Sequence, residues 1–109
     1  HCLIIPKRHI ERFDELSEEE ALAVFQAIKD LNSSLDSAYD MQDYILLDKT
    51  GPAAGQNIPH MALHYIPRKE NDISNFSLVL RLYKSKNAKP MNQDDLNEHR
   101  RIIASHYPF

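Results

Sequence analysis

The stretch Gln56-Asn57-Ile58-Pro59-His60-Met61-Ala62-Leu63-His64-Tyr65-Ile66-Pro67-Arg68 decides how this chain is read. Between Pro59 and Pro67 its residues alternate with period two. An extended strand over 59–67 puts His60, Ala62, His64 and Ile66 on one face and Met61, Leu63 and Tyr65 on the other. Two imidazoles then flank a methyl group. Proline is tolerated as the first residue of a strand and removes a ladder donor where pairing stops, so Pro59 and Pro67 mark the two ends. Such a strand offers chemistry on one side only.

Working upstream, residues 43–49 form a second strand that runs into Thr50-Gly51-Pro52-Ala53-Ala54-Gly55, which holds both glycines of the chain. Glycine allows backbone conformations and close approaches that a side chain blocks, so this loop can present amides to a phosphate; a hairpin turn explains the same residues. Ser17-Glu18-Glu19-Glu20 is a capping box with an acidic first turn. A helix over residues 18–38 follows, with Ala21, Val24, Phe25, Ile28, Leu31 and Leu35 at helical spacing to pack on a sheet. Residues 1–6 read as a buried strand stopped by Pro6, with Cys2 a small buried apolar residue in it, and Lys7-Arg8-His9 as the polar loop that leaves it.

Downstream, residues 69–72 make a polar turn, 76–83 read as another strand, and the basic 84–90 as a solvated loop. Asn92 with Asp95 offers an N-cap to a terminal helix whose apolar face is Leu96, Ile102 and Ile103; His99 and His106 read as surface residues.

The chain has 109 residues, enough for one domain with a single core. A formal charge of −3 gives no electrostatic case for binding a nucleic-acid polymer, so a charge-rich partner must be met by a local site. One cysteine excludes an internal disulfide and suits a reducing compartment. No run approaches the roughly 18 apolar residues that span a bilayer, and no basic-then-apolar segment suggests a signal peptide, so the expectation is a cytoplasmic protein without membrane contact.

The stretch 56–68, taken with His1-Cys2-Leu3-Ile4-Ile5-Pro6-Lys7 and Gly51-Pro52-Ala53-Ala54-Gly55-Gln56, resembles the signature of the histidine triad family, in which three histidines alternate with apolar residues on one strand. His60 and His64 fall on the first and third histidines, and Ala62 on the middle one. The resemblance implies an α+β fold, with an antiparallel sheet carrying the histidine strand, a long helix packed on it and a short C-terminal helix. It implies a single domain over 1–109, with the family's earlier strands, their acidic ribose ligand and their apolar base pocket expected to lie outside this sequence. It also implies a homodimer.

In the family the middle histidine attacks the α-phosphate of a nucleotide conjugate and forms a covalent nucleotidyl-histidine. By resemblance His64 donates to a nonbridging phosphate oxygen, while His60 orients the site with His1 behind it. Lys49, Gly55, Gln56 and Asn57 are then the further phosphate and nucleotide contacts, and no cofactor is called for. Lys49 stands where the family usually has an amide, and a point charge there suits a longer polyphosphate. Ile66-Pro67-Arg68 points to the dinucleoside polyphosphate hydrolases; the alternatives are a nucleoside phosphoramidase or a natural non-catalytic nucleotide-binding protein. Ala62 is either an engineered replacement, favoured by how well its surroundings are kept, or the mark of a degenerate member. In both cases a chain without the nucleophile is expected to be inactive. Metal binding is the bland competitor, but His60 and His64 without a cysteine or an obvious third ligand make a poor zinc site.

Overall fold

The structure is a computed structural model and describes residues 1–83 and 92–106. Its elements in chain order are β1 (Cys2–Ile4), α1 (Glu18–Tyr39), β2 (Asp43–Asp48), β3 (Leu63–Arg68), α2 (Asn75–Tyr83) and α3 (Gln93–Ser105). The three strands form an antiparallel sheet in the order β1-β3-β2, so the histidine strand is the central one. The sheet with its long helix is the α+β arrangement anticipated above.

α1 begins where its cap requires. The Ser17 hydroxyl accepts from the Glu20 amide at 3.1 Å and the Glu20 carboxylate accepts from the Ser17 amide at 3.0 Å, so two otherwise orphaned donors are satisfied reciprocally. It ends at Asp40, whose φ of 54° is left-handed and whose amide reaches back to Asp36 and Leu35. Val24 and Ile28 pack on the core cluster of Ile10, Met61 and Leu63, together with Ile4 and Leu16. Phe25, expected in the same stripe, is 60% exposed. It sits about 100° around the helix from Val24, outside the buried arc, and carries the Lys29 ammonium over its ring at 5.7 Å instead.

β1 pairs Cys2 with Tyr65, Leu3 with His64 and Ile4 with Leu63. The expectation that residues 1–6 are a buried strand is corrected: Leu3 is 55% and Ile5 58% exposed, and Cys2 is only partly buried. β1 is an edge strand of which α1 covers one face, so its alternate side chains remain open.

β3 differs from its expected bounds at both ends. It starts at Leu63, not Pro59, because the His60 amide donates to Ile58 and the Met61 amide to Ile10 at 2.7 Å, both outside any ladder. It also continues through Pro67 to Arg68, with Pro67 opposite Tyr44 of β2. β1 pairs only as far as Tyr65, so the proline falls where β3 has a neighbour on one side alone, which is the position a strand proline tolerates.

Residues 76–83 are helical rather than a strand. The Ser74 hydroxyl accepts from the Ser77 amide and opens α2 over Asn75–Tyr83. The apolar run 76–83, broken only by Ser77 and Arg81, is too short for its periodicity to separate a strand from a helix, and here the local cap decides. The 84–90 loop lies outside the described residues. α3 starts at the Asn92 cap as expected, the side chain accepting from the Asp95 amide at 2.9 Å, and is tied to α1 by the Ser34 hydroxyl, which donates to the Ile103 carbonyl at 2.7 Å. His99 and His106 are exposed, though His99 pairs with the Tyr39 hydroxyl at 2.8 Å.

Candidate functional site

The two sides of the 60–65 segment, which leads into β3, are chemically distinct. Met61, Leu63 and Tyr65 are 1%, 5% and 1% exposed, and the Tyr65 hydroxyl donates to Asn32 of α1 at 3.1 Å. Burial pushes the Tyr65 phenol up to about 12, with Tyr44 and Cys2 adding to the shift. His60, Ala62 and His64 are all only half-buried.

The His1 ring lies against His64, Nε2 to Nδ1, at 2.8 Å, with ring centroids 5.0 Å apart. One of these nitrogens donates and the other accepts, so the pair holds one bridging proton and fixes how His64 presents its remaining nitrogen. His64 titrates below its ordinary 6.5, first because burial disfavours the imidazolium, then because of the nearby Lys49 charge; Asp48 opposes both. The ring thus favours its neutral form, and Lys49 is close enough to act on it.

His60 takes a different set of partners. Its Nε2–H donates to the Pro6 carbonyl at 3.0 Å, which fixes the tautomer, and the exposed His9 meets the ring edge-on at 5.5 Å and 78°. Sequence reading missed this part of the site. A histidine in the Lys7-Arg8-His9 loop is a usable hint, but nothing local says that the loop folds back over residue 60.

The glycine loop is more closed than expected. Gly51 and Gly55 have φ of 89° and 90°, conformations that a side chain strains. The Gly51 amide donates to the Gln56 side-chain oxygen at 2.7 Å. The amides of Ala54 and Gln56 donate to the Gly51 carbonyl, and the Gly55 amide to Pro52. Amides that the sequence offers to a phosphate are therefore engaged inside the loop. The Gln56 side-chain NH2 donates to Glu11 at 2.7 Å and to Ile58 at 3.1 Å, whereas Asn57 is exposed. So the structure joins His1, His64 and Lys49, places His60 against Pro6 and His9, and folds Gln56 into the scaffold. Among the described residues no group of three or more histidine, cysteine or acidic side chains is placed to hold a metal.

Residues 1–71 match the model of the HIT domain family. The chain belongs to the HIT family. Among HIT relatives, it is 32% identical over 72 residues to the bifunctional bis(5'-adenosyl)-triphosphatase/adenylylsulfatase FHIT of Arabidopsis thaliana, covering 66% of this chain and 40% of that protein. It is 30% identical over 79 residues to the asymmetrical bis(5'-nucleosyl)-tetraphosphatase of Schizosaccharomyces pombe, covering 72% of this chain and 43% of that protein. The chain thus spans less than half the length of either enzyme. A hypothetical histidine triad nucleotide-binding protein from Sulfolobus tokodaii superimposes with a TM-score of 0.71 at 26% identity, over 95% of this chain and 66% of that one. The HIT match ends at residue 71, so the site described above falls inside it and α2 and α3 fall outside.

Proposed function

We propose that this chain carries the phosphate-recognition site of a HIT-type nucleotide hydrolase that acts on dinucleoside polyphosphates or related nucleotide conjugates, and that with Ala62 at the nucleophile position it binds nucleotides but turns them over poorly. The observation that carries this reading is the His1–His64 pair at 2.8 Å on the half-open face of the central strand, two residues along the chain from Ala62. Displacement at phosphorus needs an in-line nucleophile and donors for the nonbridging oxygens. His64 and Lys49 supply donors. A histidine at position 62 supplies the nucleophile: its ring nitrogen forms a bond to the α-phosphorus as the bond to the leaving phosphate oxygen breaks, and water then cleaves the phosphorus–nitrogen bond. The names of the Arabidopsis and fission-yeast relatives support the substrate class.

The test is calorimetric titration of this chain with diadenosine tri- and tetraphosphate, beside turnover of the Ala62→His variant on the same compounds and on a nucleoside phosphoramidate. Binding by the parent chain and hydrolysis by the variant are expected. Binding without hydrolysis by the variant supports the second reading, which Ala62 itself favours: a natural nucleotide-binding protein. Lys49→Gln should weaken triphosphate-bridged ligands more than monophosphates, and equal losses remove the role given to Lys49.

A further inference from the structure

We infer that Gln56 is a positioning residue that locks the glycine loop and the 6–12 segment onto the entrance of the histidine strand, and that it is not a phosphate ligand. The inference deepens the nucleotide-binding reading above and rests on it. A carboxamide has two N–H donors and one acceptor oxygen, and phosphate oxygens only accept. Both donor directions of Gln56 are taken, by the Glu11 carbonyl at 2.7 Å and the Ile58 carbonyl at 3.1 Å. Its oxygen accepts from the Gly51 amide at 2.7 Å. Turning the amide over would set NH2 against an N–H and oxygen against two carbonyls, so the orientation is fixed and leaves no donor for an anion.

What the side chain holds is specific. The Gln56 backbone amide also donates to Gly51 at 3.2 Å, so residue 56 clips Gly51 from both sides and closes the loop. On the other side, Glu11 neighbours Ile10, whose carbonyl takes the Met61 amide at 2.7 Å, and the same segment begins with Pro6, whose carbonyl takes the His60 ring at 3.0 Å. Gln56 thereby joins the loop to the segment that orients His60 and Met61, on either side of which Asn57 and Ala62 stand. Contact from this loop to a polyphosphate then falls to Asn57, which is exposed.

The test uses this chain with Gln56→Met, which removes all three side-chain bonds at similar volume, and Gln56→Glu, which keeps the acceptor and loses the donors. In ligand-free protein, Gln56→Met should raise amide exchange at Gly51 and Met61 by about tenfold, the effect of a lost hydrogen bond. It should also move the His60 ring nitrogen shift that reports the bond to Pro6, while the amides inside α1 stay protected. Gln56→Glu should spare Gly51 and release Met61. In Gln56→Met, which adds no charge, binding of AMP and of diadenosine tetraphosphate should weaken by the same factor. Unchanged ligand-free exchange and an unchanged His60 shift, with binding lost in proportion to phosphate number, would make Gln56 a direct ligand and overturn the inference. Should Gln56→Met not fold, Gln56→Glu decides through Met61. If the unsubstituted chain binds neither nucleotide, the proposed function fails, and the ligand-free measurements still decide the role of Gln56.

Discussion

The two faces of the histidine strand solve opposite problems with residues that alternate along one segment. Met61, Leu63 and Tyr65 are removed from solvent and fill the space under α1, whereas His60, Ala62 and His64 stay half-open, the two rings held by hydrogen bonds to the Pro6 carbonyl and to His1. Packing is non-directional and tolerates modest changes of shape; imidazole chemistry depends on which nitrogen points where. A central strand with a ladder on both sides keeps the two faces from exchanging, because a one-residue slip would turn the rings into the core.

The largest expected effect breaks the comparison on the open face. Ala62→His should raise hydrolysis of diadenosine polyphosphates by on the order of 10⁴ or more, as restoring a nucleophile does, and leave the thermal midpoint nearly unchanged. On the closed face Met61→Ala should do the reverse: lose about 2–5 kcal/mol of stability, read by chemical denaturation, with nucleotide affinity of the folded fraction little altered. If either substitution moved both quantities strongly, the division between the faces would be wrong.

Titration sharpens the same contrast. His64 binds its proton less readily in the folded state than in the unfolded state, so the stability tied to its neutral form is present above 6.5 and is lost as pH falls from 6.5 toward the lower folded value. NMR titration should find the His64 midpoint below 6.5. Lys49→Met should raise it without restoring the ordinary value, since burial is the larger cause, and Asp48→Asn should lower it further. A midpoint at or above 6.5 in the parent chain would contradict the geometry.

Glu20 offers an acid-range counterpart away from the strand. Its hydrogen bond from Arg8, with those from Ser17, lowers it from 4.5 to about 2, so its contribution is complete above 4.5 and is lost as pH falls toward 2. Glu20→Gln should lower stability above 4.5 and so flatten its fall across that window, while the His64 transition below 6.5 keeps its shape. The smallest effect belongs to Phe25, where replacement by glutamate should change stability by roughly 0.5 kcal/mol or less, because the ring is on the surface.

Where the sequence could be read, local chemistry and tertiary structure agreed. The Ser17 box, the Asn92 cap and the two-faced alternation around His64 carry their own reasons and reappear in the structure. β1 was misread because exposure depends on what covers a strand, and α1 covers only one side of it. α2 was misread because an apolar run of that length has no period of its own, and Ser74 lies outside the run. At the site, the family resemblance set His1 behind His60, whereas the structure lays its ring against His64; 63 residues separate the two, so no spacing in the sequence shows the pair. The carbonyls of Pro6 and Ile10 could not be found at all, since a backbone oxygen has no signature in a sequence.

β1 contributes only Cys2–Ile4 to the ladder and lies at the border of the sheet, yet it brings the ring that steers His64. The last turns of such a short border segment fray at far lower free energy than the whole domain unfolds. The orientation of the His64 imidazole is therefore governed by a local zipper, and whatever clamps that end of the sheet sets how long the ring stays poised.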